Sequence, residues 1–259
     1  MRAYAKIATS TADGVLTVTL NVPERRNAIG PHMTNELLWA LEDAREASDV
    51  RVVVITGAGK AFCAGGDFQQ MTSGGEAEAL PHKGDYADLL LTLTRFDKPV
   101  IAKVNGHAMG GGLGIVAAST FAIASNEAQL GTPEIQVGLF PMMIMAVLAR
   151  QIPRRRLVQM MLLGEKIGAE EAASIGLVSE SVAHADLDAR VHNLATALLE
   201  KSPSTLRLGL RAFAEQDDMD LEAALPMLRN KLAECLATDD AREGLMAFLE
   251  KRAPKWSGR

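Results

Sequence analysis

Two cysteines in 259 residues, Cys63 and Cys235, leave no material for a disulfide framework. They stand far apart, and no export signal follows Arg2 and Lys6, so free thiols in a reducing cytoplasm are expected. The five histidines are scattered, with no His-x-x-x-His or Cys-x-x-Cys spacing, and no metal site is expected. Long apolar runs are missing too. The longest, Leu139 to Ala149, is too short to cross a bilayer and contains Pro141, so no membrane association is expected. Nor is there a basic block: 27 Lys+Arg against 32 Asp+Glu give a net charge of −5. Such a field repels a phosphate backbone, which argues against nucleic acid as a partner. It does not stop a few local arginines from holding a phosphorylated small molecule.

What is present is a chain with 48% hydrophobic and 23% charged residues, enough for one large domain with a sizeable core. Gly14 to Leu20 alternates, with Leu16, Val18 and Leu20 on one face and Thr17 and Thr19 on the other, as a half-buried strand does. Met33, Leu37, Leu38, Leu41 and Ala44 recur at helical spacing. Val52 to Ile55 and Pro99 to Val104 are apolar on both faces, as strands covered on both sides are. A small-residue helix around Leu113 to Ser119 and a short strand at Phe121 to Ala124 follow. Strand–helix alternation of this kind predicts an α/β architecture with a largely parallel sheet. From Met142 onward helical periodicity dominates. The expected division is an α/β core over 1–195 and a helical region over 196–259, with a mobile loop over 72–84.

Each doubly apolar strand runs into a glycine-rich turn, Gly57 to Asp67 and Asn105 to Gly114. Glycine lets backbone N–H groups approach a ligand closely, and a helix starting at Gly111 or Gly112 aims its free N–H groups at an anionic oxygen. One N–H from each turn on a single oxygen would make an oxyanion hole. A phosphate loop is excluded because Ala61, not Ser or Thr, follows Gly59-Lys60. Gly112-x-Gly114-x-x-Ala117 fits the dinucleotide fingerprint, with Glu134 twenty residues beyond Gly114, but it sits too late in the chain for a first βαβ unit. Close packing of helix on strand is the remaining account of the glycines.

Six ordered segments, spanning about residues 5 to 256, resemble the enoyl-CoA hydratase/isomerase (crotonase) family. They are Asn21-Val22-Pro23 to Asn27-Ala28-Ile29; Lys60-Ala61-Phe62-Cys63-Ala64-Gly65-Gly66-Asp67; Lys103-Val104-Asn105-Gly106 to Gly110-Gly111-Gly112; Gly131-Thr132-Pro133-Glu134 to Pro141; Leu163-Gly164 to Val178; and Glu243-Gly244 to Arg252. The resemblance implies a spiral of ββα units followed by a C-terminal helical trimerisation region, assembling as a homo-oligomer, trimer or hexamer. It also implies an acyl-CoA thioester whose carbonyl oxygen is held by the N–H groups of Gly66 and Gly111. Coenzyme A would arrive as part of the substrate, with no separate cofactor. Its implied contacts are Arg25 or Arg26, Ala28 and the loop Gly66, Asp67, Phe68, Gln69, an arginine fork suiting a phosphate. Asp67 is equally suited to cap a following helix.

The resemblance assigns acid–base chemistry to Glu134. The family's straight-chain hydratases carry a second glutamate two residues after the glycine run, where this chain has Gly114. A single glutamate can still hydrate a 2-enoyl thioester by taking a proton from water and delivering it to Cα. It can also move a double bond from Δ3 to Δ2 by shuttling one proton. Hydratase is the preferred reading, isomerase the alternative, and an acyl-CoA-binding protein without catalysis the third. Met142, Met143 and Met145 suggest an apolar acyl pocket. No role in chemistry is expected for His107, nor for the Cys63 thiol, which has no obvious base.

Overall fold

The computed structural model describes residues 2–67 and 80–259. Strands β1 (Ile7–Ala12) and β2 (Val15–Leu20) form an antiparallel hairpin. Its two-residue turn, Asp13-Gly14, has both residues at positive φ, the geometry that matches strand twist. Helix α1 (Pro31–Glu46) follows, begun by a proline at its first position, where the missing N–H costs nothing. Then come pairs of strands: β3 (Val52–Gly57) and β4 (Ala61–Cys63), β5 (Val100–Val104) and β6 (His107–Met109), β7 (Phe121–Ser125) and β8 (Gln129–Gly131).

The first member of each pair joins one sheet and the second member joins another. Among the described residues the larger sheet runs β1-β2-β3-β5-β7-β10 and the smaller β4-β6-β8-β9, where β9 is Lys166–Gly168 and β10 is Glu180–Val182. From β2 to β10 the large sheet is parallel, and so is β4-β6-β8. Helices α2 (Tyr86–Thr94), α3 (Gly111–Ala118) and α4 (Met142–Leu148) separate the pairs, so the chain advances as a spiral of ββα turns. The sequence pattern places β4 and β6 within the two glycine-rich turns. Three residues each, Ala61-Phe62-Cys63 and His107-Ala108-Met109, are too few to show a period, and only pairing with neighbours makes them strands.

The long strands are apolar on both faces because both faces are covered. Val53 and Ile55 face the main core with α1 and α3, while Val52, Val54 and Ile101 pack on Leu187, Val191 and Ala195 of α7 (Leu187–Leu199). Each such buried aliphatic side chain contributes about 1.5–3 kcal/mol relative to exposure. Helix α7 thus belongs to the sheet it covers and runs across residue 195. Helices α5 (Arg154–Leu163) and α6 (Ala169–Ser174) precede it, and α8 (Pro203–Gln216), α9 (Leu221–Leu236) and α10 (Asp239–Glu250) complete the chain. These last three expose Phe213, Leu225, Leu232, Leu236, Leu249 and, at 81%, Phe248. No described helix is long and apolar enough to cross a membrane.

Candidate active site

The site is built where the turns after β4 and β6 meet the turn after β8. Asn27 ties the first of them in place. Its buried side chain accepts from the Val22 N–H (3.0 Å) and donates to the carbonyls of Ala58 and Ala61 (both 2.9 Å). Its own backbone is left-handed, φ +56°, a conformation asparagine tolerates better than most residues. The next segment then lies against the chain leaving β4: the Ile29 N–H donates to Gly65 (2.8 Å) and the Asp67 N–H to Ile29 (2.8 Å). In this parallel bridge Gly66 is the residue opposite Ile29. Its neighbours supply the bonds, so its own N–H and carbonyl point the other way.

Gly111 opens α3, where the first N–H groups have no acceptor within the helix. Gly110, the residue before it, has φ +49° and ψ −121°, which only glycine adopts without strain. A Cβ there would also lie 2.6 Å from Glu134 Oε1. The glycine therefore makes room for the carboxylate. Glu134 itself sits in a short 3-10 turn, Pro133–Val137, that leaves β8. It is half-buried, Oε2 has no hydrogen-bond partner among the described residues, and burial raises its pKa above the ordinary carboxylate range, with its own backbone N–H opposing.

Gly66, Gly111 and Glu134 line one cavity of about 390 Å3. Its remaining walls are Ile29 to Pro31 and Thr34 at the head of α1, His82 with Gly84 to Tyr86, and Leu139 to Ile144. The Met142 and Met143 expected in an acyl pocket are in this wall; Met145 instead packs toward the core. Two backbone N–H donors and an ionisable carboxylate around an apolar chamber can hold a developing oxyanion and move a proton at the adjacent carbon.

Other sequence-singled residues are placed differently. Arg25 donates to Asp67 Oδ1 at 2.7 Å, the carboxylate side chain being 2% exposed and the guanidinium 37%. Ala28 follows Asn27 in the same segment, and its N–H donates to Arg25 (3.2 Å). Phe68 and Gln69 lie outside the described residues, as does most of the loop over 72–84. The described end of that loop is tied down: Pro81 accepts from Asn35 and from Trp39 of α1, and Lys83 pairs with Glu42. His107 accepts from the Gln129 N–H through Nδ1 (3.0 Å), a strand contact. Cys63 is fully buried behind Gly112, and burial pushes its thiol up to about 11, which keeps it inert.

Tyr86 is the wall residue that sequence reasoning missed. Its hydroxyl donates to the Gly111 carbonyl at 2.5 Å, and a Cβ at Gly114 would collide with that hydroxyl and stand 2.5 Å from Ile144 Cγ2. A lone tyrosine distant in sequence carries no motif, so only packing reveals it.

The profile of the enoyl-CoA hydratase/isomerase family matches residues 10–259. The chain is 34% identical to the 2,3-dehydroadipyl-CoA hydratase of Escherichia coli over 98% of its own length and 100% of that protein. It is 31% identical to the mouse mitochondrial enoyl-CoA hydratase domain-containing protein 3, covering 96% and 84%. Among solved structures, an enoyl-CoA hydratase from Mycobacterium smegmatis superposes with a TM-score of 0.90 at 32% identity, covering 97% and 99%.

Proposed function

The chain belongs to the enoyl-CoA hydratase/isomerase family, and from that premise we propose that it is an enoyl-CoA hydratase, adding water to a 2-enoyl-CoA to give a 3-hydroxyacyl-CoA. The observation that carries the reading is Glu134: a half-buried carboxylate with an unpartnered oxygen, in the same cavity as the N–H groups of Gly66 and Gly111. The two N–H groups hold the thioester oxygen. Glu134 takes a proton from water as the hydroxyl adds to Cβ, and the double-bond electrons move onto the thioester as an enolate. Glu134 then returns the proton to Cα. The carboxylate is regenerated and one water has been added.

Burial supports this cycle, because a carboxyl group raised above its ordinary range both accepts and returns a proton near neutral pH. The apolar wall Leu139 to Ile144 suits an apolar acyl chain. Arg25, with Ala28 and the loop from Gly66 to Gln69, is assigned to the coenzyme A portion, and Asp67 holds the Arg25 guanidinium in place. Coenzyme A enters as part of the substrate and no separate cofactor is called on. The reading includes a trimer or hexamer, supported by the exposed apolar side chains of α8 to α10, and a cytoplasmic location.

One observation favours Δ3-Δ2-enoyl-CoA isomerase as a second reading: Gly114 offers no second carboxylate, and isomerisation needs only one. Offering 2-enoyl- and 3-enoyl-CoA esters separately distinguishes them. The proposal expects loss of the conjugated enone absorbance with the 2-enoyl ester. Gain of that absorbance from the 3-enoyl ester, without hydration, would replace it with the isomerase.

A further inference from the structure

Resting on the hydratase reading, we propose that Tyr86 takes the place of the missing second carboxylate by holding the attacking water. The position from which a residue-114 side chain would leave the helix is filled. A Cβ there would meet the Tyr86 hydroxyl, so Gly114 is the space that this hydroxyl occupies. The same ring stands 3.5 Å from where a Cβ of Gly111 would be, putting the phenol beside one oxyanion donor. Tyr86 and Glu134 both line the cavity.

The chemistry is fixed by what the hydroxyl already does. Its one proton goes to the Gly111 carbonyl at 2.5 Å, so toward the cavity it has only lone pairs to offer. Burial, with the charges of Cys63 and Glu134 adding to it, raises the phenol's pKa well above its usual value, so it remains the neutral phenol through the neutral range. A water between the two residues donates one hydrogen to Tyr86 Oη and the other to Glu134. As the water oxygen bonds to Cβ, Glu134 takes its proton and the remaining O–H stays on the product hydroxyl, still donated to Tyr86. No proton is lost or gained by the tyrosine. Two fixed acceptors orient the lone pair that attacks, the service a second carboxylate would give without its charge.

The test is Tyr86→Phe, which keeps the ring and removes only the oxygen. Hydration kcat for a 2-enoyl-CoA should fall about 10- to 100-fold, the effect of one hydrogen bond to a group whose charge changes in the step. KM should stay within about twofold. Exchange of the Cα proton of a saturated acyl-CoA in deuterated water uses Glu134 and the two backbone N–H groups but no attacking water, and it should be unchanged. A matching fall in hydration and exchange would show that Tyr86 only props up Gly111, and would overturn the proposal; so would undiminished hydration. If the wild type exchanges the proton yet hydrates nothing, the hydratase reading itself fails and takes the water-holding role with it. That result is separable from a hydratase indifferent to Tyr86.

Discussion

At the scale of single residues, the site turns on a conflict at Glu134. A carboxylate with a buried oxygen that has no partner among the described residues is costly to keep charged, and that cost suits it to the proposed role of base. Because its folded pKa is raised, the stability associated with it is present at low pH and lost as pH rises through that pKa. Glu134→Gln should therefore melt at the wild-type temperature or above it at pH 7, while catalysis collapses; a lowered Tm would mean the carboxylate is a structural anchor. In the wild type, kcat/KM should fall on the acid side with a midpoint above the ordinary carboxylate range, since protonated Glu134 cannot accept a proton. A midpoint at the unperturbed glutamate value, about 4.3, would point to an exposed base instead. Glu134 was legible in the sequence because it lies in a contiguous motif, and so were Gly66 and Gly111. Tyr86 was not, because its place in the wall depends on a volume that Gly114 leaves open across two helices.

At the scale of elements, the glycine-rich turns are shaped by what crowds against them, and α2 is the element that delivers Tyr86. Its first residue is placed by a capping box. The Asp85 carboxylate accepts from the N–H groups of Ala87 (2.8 Å) and Asp88 (3.2 Å), and Asp88 accepts from the Asp85 N–H (2.9 Å). Asp85→Ala should cost about 1 kcal/mol in urea denaturation, with Asp85→Asn restoring most of it. An Ala variant as stable as wild type would show that packing of Leu89, Leu90 and Leu93 alone holds the helix start. The long elements were readable: β3 and β5 from their continuous apolar runs, α1 from its spacing, the start of α3 from the glycines. The hidden elements were β1, six residues with little burial, and the three-residue strands. Too short for periodicity, the three-residue strands exist because each finds a partner, β4, β6, β8 and β9 in the smaller sheet and β10 beside β7 in the larger, a tertiary fact that only the family resemblance anticipated as ββα units.

At the scale of the whole molecule, one buried carboxylate gathers the last residues of the chain. Asp240, 1% exposed, accepts from Ser202 Oγ (2.8 Å), Ser204 Oγ (2.9 Å) and the N–H groups of Ser257 (2.7 Å) and Gly258 (3.0 Å). Burial alone would raise its pKa, but these donors together outweigh burial and hold it at about 2, against 3.8 for a free aspartate. A depressed folded pKa contributes stability that is whole above the unfolded value and lost as pH falls toward the folded one. The shift corresponds to about 2 kcal/mol. Asp240→Asn should lose about that much at pH 7, the gap to wild type narrowing between pH 4 and pH 2; a constant gap would mean that shape, not charge, fastens the tail. The sequence read this region as helical. The fastening itself was invisible, since Asp240 and its donors, Ser202 and Ser204 on one side and Ser257 and Gly258 on the other, lie far apart in the chain.

In the proposed reaction Glu134 moves a proton at the carbon beside a thioester held by Gly66 and Gly111. The most direct measurement is Cα deuterium incorporation into a saturated acyl-CoA in deuterated water, read by mass spectrometry for wild type and Glu134→Gln side by side. Wild type should incorporate deuterium in an enzyme-dependent way, and the variant should lose at least about 100-fold while still binding acyl-CoA. Equal incorporation by the two proteins would contradict this role of Glu134.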